Sequence, residues 1–210
     1  MTSEKGKSLA RRGHTAEERQ AITLLKEAEE KKTELARILR EQGVEVFMEY
    51  RRNAPEEVID LSGIELPGII VCGVDLIRAI LRSVVITGAD FTGAKLMGAD
   101  LQGAIATSGT FKGVLFQGAD LRAALFTNTD CSDARFVGAD LRGAIFAKAN
   151  LRGADFTGAN LVGANLVGAN IKGAKFAAAL VASMGLSPGT PFPPGAITET
   201  KVISLQEAGE

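Results

Sequence analysis

Residues 153–176 read GADFTGANLVGANLVGANIKGAKF. Phe156, Leu161, Leu166, Ile171 and Phe176 recur every five residues, each two places after an alanine and two before a glycine or alanine. A period of five fits neither regular element. An α-helix turns ~100° per residue, so a five-residue step carries each large side chain ~140° around the axis and leaves no apolar stripe. A strand alternates faces at every residue, so an odd period throws successive leucines to opposite sides. The chain must therefore change direction once per repeat.

Followed outward, the register runs from Leu61 through Leu101 and Leu141 to Phe176 without an insertion, and all 24 centres are apolar. Two places before the centre, 16 of 24 residues are alanine; two places after it, 16 of 24 are glycine. Order this strict is an internal repeat. The segments ADLQG, ADLRG, ANLVG, ANLRG and ADFTG resemble the A(D/N)LXX motif of the pentapeptide-repeat proteins, over residues 59–178. The resemblance implies a right-handed quadrilateral β-helix, four pentapeptides to a square coil with a tight turn at each corner. The centre and the alanine two before it then point inward, and the other three residues point out.

The residues suit that shape. Alanine fits a narrow shaft beside a leucine, and glycine at a corner takes backbone angles that other residues reach only at a cost. Coils stacked like parallel strands, ~4.8 Å apart, give six coils about 29 Å long. A coil of twenty residues also demands order at period 20. Residues 61, 81, 101, 121, 141 and 161 are all leucine, and residues 116, 136, 156 and 176 are all phenylalanine.

Solenoid ends expose core and strand edges and need caps. Residues 1–14, which hold His14, read as a disordered basic N-terminus, and 15–57 as a helical extension and cap. Thr15 with Glu18 forms a capping box, and Gly43 is a stop signal. Ala21, Leu25, Ala28, Leu35 and Leu39 make a helical stripe that either lies on the shaft or pairs with another chain. Val44, Phe47 and Met48, in a segment resembling the helix that precedes the first coil in the family, would plug the N-terminal mouth. The repeats occupy 58–178. Residues 179–210 read as a C-terminal cap, a proline-rich linker and a tail; KFAAALVASMG suggests a short capping helix, and Val202, Ile203 and Leu205 in the tail call for burial on the chain itself or on a partner.

Composition bounds the function. The chain has 210 residues, 46% hydrophobic, with 24 Lys+Arg against 25 Asp+Glu, one histidine and no tryptophan. No apolar run approaches the ~20 residues of a membrane helix, and the first twenty residues hold no apolar signal region; a cytoplasmic location is expected. Cys72 and Cys131 form no CxxC or metal-ligand spacing. The glycines are turn residues at a fixed period, not a phosphate loop. Asp100, Asp120 and Asp140 share a side with Arg82, Arg122 and Arg142, which reads as compensated surface charge. The sequence predicts a non-enzyme with no catalytic residue, metal site or cofactor.

What remains is surface. On one side the outward position before the centre runs Glu65, Val85, Ile105, Leu125, Ile145, Asn165, and the position after it runs Thr87, Thr107, Thr127, Ala147, Val167. Contiguous apolar surface marks a contact site, to be covered by the N-terminal helix, the C-terminal tail or another subunit. Val162 and Val167, beside outward asparagines in the last repeats, suggest a second covered area. The expected role is a rigid scaffold for protein–protein contact or self-assembly, with a protein partner or a second copy as the occupant. The family resemblance supplies the alternative, a duplex-DNA mimic that binds a type II topoisomerase such as gyrase. That role needs an acidic shaft, whereas residues 58–176 hold 11 Lys+Arg and 10 Asp+Glu. Nucleic acid is disfavoured as a partner, since no basic stripe is interleaved with aromatics and residues 1–57 balance at 12 basic and 12 acidic.

Overall fold

The computed structural model describes residues 15–191 and 193–196, so the N-terminal segment 1–14 and the tail beyond 196 lie outside the described residues. Two compact units divide the chain after Lys31. The first holds the start of helix α1 (Ala16–Arg37). The capping box forms as its residues dictate: the Thr15 N–H donates to Glu18 Oε2 at 2.7 Å, and the Glu18 N–H donates to Thr15 Oγ1 at 3.1 Å. Side chains from Ala16 to Lys31 are exposed throughout.

The second unit begins with the last turns of α1, which run into a π-helical turn (Ile38–Gln42) and then helix α2 (Val44–Asn53). Gly43 joins them at φ 86°, in the left-handed half of the map, and its N–H donates to Ile38 O at 3.0 Å. A side chain at that angle would be strained, so glycine ends the helix here. Leu35, Ala36, Ile38, Leu39 and Phe47 are buried in the same core as the first coil. Arg40 donates to Glu65 O at 2.6 Å and Arg51 to Glu57 O at 2.7 Å.

From Asp60 onward the backbone forms a β-helix. Every bridge is parallel and joins residues twenty apart, from Asp60↔Ile80 to Asn165↔Gly185. Four pentapeptides therefore make each coil, and residues twenty apart form a column on one of four sides. Side 1 has centres Leu61 to Leu161, side 2 Leu66 to Leu166, side 3 Val71 to Ile171 and side 4 Leu76 to Phe176. The coil spacing can be read from the rings: Phe116–Phe136, Phe136–Phe156 and Phe156–Phe176 stack at 4.9, 4.8 and 4.9 Å, the separation of hydrogen-bonded strands. Across the shaft this stack meets the one on side 2 edge to face, with Phe116–Phe126 at 88° and Phe136–Phe146 at 82°.

One pentapeptide shows why the motif is A(D/N)LXG. Asp100 N–H donates to Ala99's counterpart one coil back, Ala79 O, while Leu101 N–H donates forward to Asp120 O and Gly103 N–H to Arg122 O. Ala104 N–H closes the corner on Leu101 O at 2.9 Å, with Gly103 at φ 67° as the type II turn requires at its third position. Only the Gln102 N–H is left, and it donates to Asp100 Oδ1 at 3.2 Å. The aspartate or asparagine thus satisfies the one backbone donor that the stacking misses. The same bond recurs from residues 62, 77, 92, 122, 132, 142, 152, 157, 162, 167 and 172 to the Asp or Asn two places earlier.

The expected C-terminal capping helix does not form: among the described residues no helix follows α2. Residues 176–185 continue the coil instead. Leu180 N–H donates to Ala159 O, Gly185 N–H to Ala164 O, and Ala178 and Ser183 take left-handed corners at φ 56° and 55°. Phe176 and Val181 stay on the five-residue register and are buried, which an α-helix could not arrange. The repeat therefore extends past residue 178 to 185, and beyond it the Gly168 N–H donates to Ser187 Oγ at 2.7 Å.

Candidate interaction face

Side 1 carries the charges in matched pairs. Arg82 Nε meets Asp100 Oδ2 at 2.5 Å, Arg122 Nη2 meets Asp120 Oδ2 at 2.6 Å, and Arg142 Nη2 meets Asp140 Oδ2 at 2.6 Å. Hydrogen bonding from Arg122 holds the Asp120 carboxyl below the usual carboxylate range, and Arg142 does the same to Asp140, against a smaller opposing effect of burial. These carboxylates are partnered by guanidinium groups on an open surface. Among the described residues no three of His, Cys, Asp and Glu are grouped to hold a metal ion, and no helix is long and apolar enough to cross a membrane. Cys131 is fully buried beside Thr129 Oγ1 at 3.4 Å, and burial pushes its thiol up to about 12. Cys72 is exposed.

Side 2 is different. Val85, Ile105, Leu125 and Ile145 stand one above another, joined by the bridges Val85↔Ile105, Ile105↔Leu125 and Leu125↔Ile145. Each is half-buried, covered above and below by its neighbours in the ladder and open outward. The parallel column is Thr87, Thr107, Thr127, Ala147 and Val167, with Thr87 and Thr107 hydroxyls 3.4 Å apart and Val167 45% exposed. From Val85 to Val167 neither column contains a charged residue; Glu65 stands one coil before Val85, and Lys148 at the corner after Ala147. Sides 1, 3 and 4 carry charges of both signs over the same coils.

The sequence reading of this side missed one thing. A valine, isoleucine or leucine before the centre removes the acceptor that aspartate or asparagine supplies. Among the described residues the backbone N–H groups of Thr87, Thr107, Thr127 and Ala147 have no such bond, whereas Asn165 at the end of the column bonds the Val167 N–H at 2.9 Å. In the sequence this shows only as a gap in the D/N column, whose meaning appears once the N–H groups are followed to their acceptors.

The other predicted residues separate. Val162 lies on side 1 and is half-buried, so it does not join Val167 on side 2. Of the helical stripe, Leu35 and Leu39 are buried, at 2% and 4% exposure, while Ala21, Leu25 and Ala28 are exposed, Leu25 at 71%. Phe47 is fully buried, Val44 and Met48 pack partly buried against the core, and Met48 Sδ accepts from the Asp75 N–H at 3.2 Å.

With this geometry in view, the comparisons agree on the class. The family model for pentapeptide repeats matches residues 71–103, 110–143 and 134–173, in eight copies. The chain belongs to the pentapeptide-repeat proteins, and its shaft is the right-handed β-helix of that family. No curated protein matches it. Among solved structures it is similar to QnrB1, a plasmid-mediated fluoroquinolone resistance protein, with 22% identity over 73% of this chain and 86% of that one and a TM-score of 0.33. It is also similar to a pentapeptide repeat protein from the Arabidopsis thaliana thylakoid lumen, with 27% identity over 73% and 79% and a TM-score of 0.22. A third is HetL, a protein involved in heterocyst differentiation regulation from Nostoc sp. strain PCC 7120, with 23% identity over 69% and 98% and a TM-score of 0.20.

Proposed function

We propose that this chain is a non-enzymatic scaffold for protein–protein contact and that side 2 of the shaft is its contact surface. The observation that carries this reading is the ladder Val85–Ile105–Leu125–Ile145. Four successive coils there replace a residue that would bond a free backbone N–H with a branched apolar side chain. That exchange gives up about 0.5–1.5 kcal/mol per hydrogen bond and exposes apolar surface, a combination that fits a surface made to be covered.

The rest of the chain supports the shaft in that role. Residues 15–57 serve as extension and N-terminal cap, with Phe47, Val44 and Met48 closing the mouth of a four-sided shaft of about six coils. The repeats run over 58–185, and the proline-rich segment after them leads into the tail.

The topoisomerase reading is weaker because the shaft is the wrong charge. A DNA duplex carries about one negative charge per 1.7 Å of axis, while residues 58–176 balance 11 Lys+Arg against 10 Asp+Glu, a net of +1. Adding the protein to a gyrase supercoiling assay should leave the rate unchanged; dose-dependent inhibition, or protection against a fluoroquinolone, would restore that alternative.

Photo-crosslinking tests the scaffold reading directly. Benzoylphenylalanine at position 127, on side 2, should give discrete adducts in cells, and at position 112, on side 3, should not. Equal yields from the two positions, or none from either, would remove side 2 as the contact surface.

A further inference from the structure

The uncharged side is also self-complementary, and the geometry points to its occupant: we propose that two copies of this chain pair through side 2, antiparallel, with Val85 against Ile145 of the second copy and Ile105 against Leu125 of the second copy. The inference rests on reading side 2 as the contact surface and adds the partner and the register.

Two flat sides can face each other in parallel or antiparallel fashion. A two-fold axis along the shaft, centred between the columns so that both are covered, would set the column of Val85, Ile105, Leu125 and Ile145 against the threonine column. A two-fold axis across the shaft, between the levels of Ile105 and Leu125, instead sets like column on like column. The four large apolar residues then meet one another, and Thr107 meets Thr127 of the second copy. No like charges oppose across these columns, because neither contains any between Val85 and Val167.

The ends of the ladder fix the register. In the proposed alignment Glu65 faces Asn165 of the second copy, a carboxylate against an amide at the rim. Slipping one coil in one direction lays Glu65 on Ile145 of the second copy and buries an unpaired charge. Slipping the other way sets Val85 on Asn165 of the second copy and leaves apolar surface uncovered. Any charged partner surface, by contrast, would have to be desolvated against a strip with no charge to answer it.

The size of the strip sets the strength. Five coils at ~4.8 Å span about 20 Å, and three extended residues at ~3.3 Å give a width of about 10 Å, so the flat footprint is about 200 Å² per copy. A standard interface buries about 800 Å² per partner. The pair is therefore a weak one that forms at high protein concentration and disperses on dilution.

The test uses the full chain. Light scattering over a dilution series should show the mass rising from one chain toward two as concentration increases. The double variant Ile105→Asn/Leu125→Asn should stay monomeric over the same range. Asparagine is native at this slot as Asn165, whose side chain bonds the Val167 N–H, and on side 3 Asn150 and Asn170 stack in the equivalent slot with a side-chain bond at 3.3 Å, so the variant should fold with an unchanged or raised Tm. A monomer at every concentration, or an Asn/Asn variant that dimerises like the parent, overturns the proposal.

Register is read separately in a Cys72→Ser background. Ile105→Cys mixed with Leu125→Cys should cross-link through a short bis-maleimide, and either variant alone should cross-link poorly. Strong linkage of Ile105→Cys to itself, or none in the mixture, overturns the antiparallel register. Slow maleimide labelling at position 105 in dilute, monomeric protein would show that the chain covers its own side 2, and also overturns pairing. A monomer that still yields adducts from position 127 removes only the second copy as occupant; absence of adducts from any position removes the contact surface itself.

Discussion

Nine residues other than glycine occupy left-handed corners of the shaft: Arg78, Ser83, Ser108, Ala123, Asn128, Asp133, Lys148, Ala178 and Ser183, all between φ 52° and 59°. An L side chain at such an angle costs roughly 1–2 kcal/mol, part of which glycine returns through the entropy of its unfolded chain. Ala123→Gly and Ser83→Gly should each raise stability by about 0.5–1 kcal/mol, read as a higher denaturation midpoint with an unchanged slope. Gly109 is the inverse case. It holds the inward slot usually given to alanine, its φ is not left-handed, and a Cβ there would sit 2.8 Å from the Phe111 ring and 2.9 Å from Ala89 O. Gly109→Ala should therefore destabilise by about 1–3 kcal/mol, although alanine is the consensus at that slot. The paired carboxylates give a pH test. Because the Asp120 and Asp140 pKa values are lowered in the fold, their contribution is present above the unfolded value near ~3.9 and is lost as pH falls through the lower folded value. Asp120→Asn/Asp140→Asn keeps the backbone acceptor and removes the charge. Its Tm should fall less than the parent's between pH 5 and pH 3, by a small margin, since exposed pairs contribute about 0–1 kcal/mol.

At the scale of elements, the shaft was legible because two periods coincide. Five residues set which side chains enter the core, and twenty set which of them stack, so Leu101 over Leu121 and Phe136 over Phe156 could be read before any coordinates. The C-terminal end was misread for an equally physical reason. In KFAAALVASMG the glycines run out and alanine, a strong helix former, takes over, so local propensity hides a register that Phe176 and Val181 still keep. Stacking on the coil below overrides propensity, as the bonds from Leu180 and Gly185 to Ala159 and Ala164 show. Val181→Asp should then behave as a core substitution, costing several kcal/mol for a buried unpaired charge, whereas on an exposed helix end it would be nearly silent. At the other end Phe47, fully buried on α2, should cost about 3–5 kcal/mol on truncation to alanine. The candidate face was legible as a column of apolar letters. Its missing backbone bonds were not, because the role of the aspartate column is visible only once each N–H has been followed to its acceptor.

Across the whole shaft, the core and the surface obey different arithmetic. The inward slots repeat every five residues and, Gly109 and Thr129 apart, all hold apolar side chains, but an outward column survives only a shift of twenty. Removing residues 113–117 would leave a closed, folded helix of coils and turn everything after the cut by a quarter revolution. Leu125 and Ile145 would then look out at right angles to Val85 and Ile105. Such a shortened chain should melt cooperatively, since Phe136, Phe156 and Phe176 move together onto the column of Phe91 and Phe111, and should sediment as a monomer at every concentration. Length in this architecture is thus quantised twice, in fives for staying folded and in twenties for keeping a face, and a lineage that trades repeats by fives can discard a binding surface without ever unfolding.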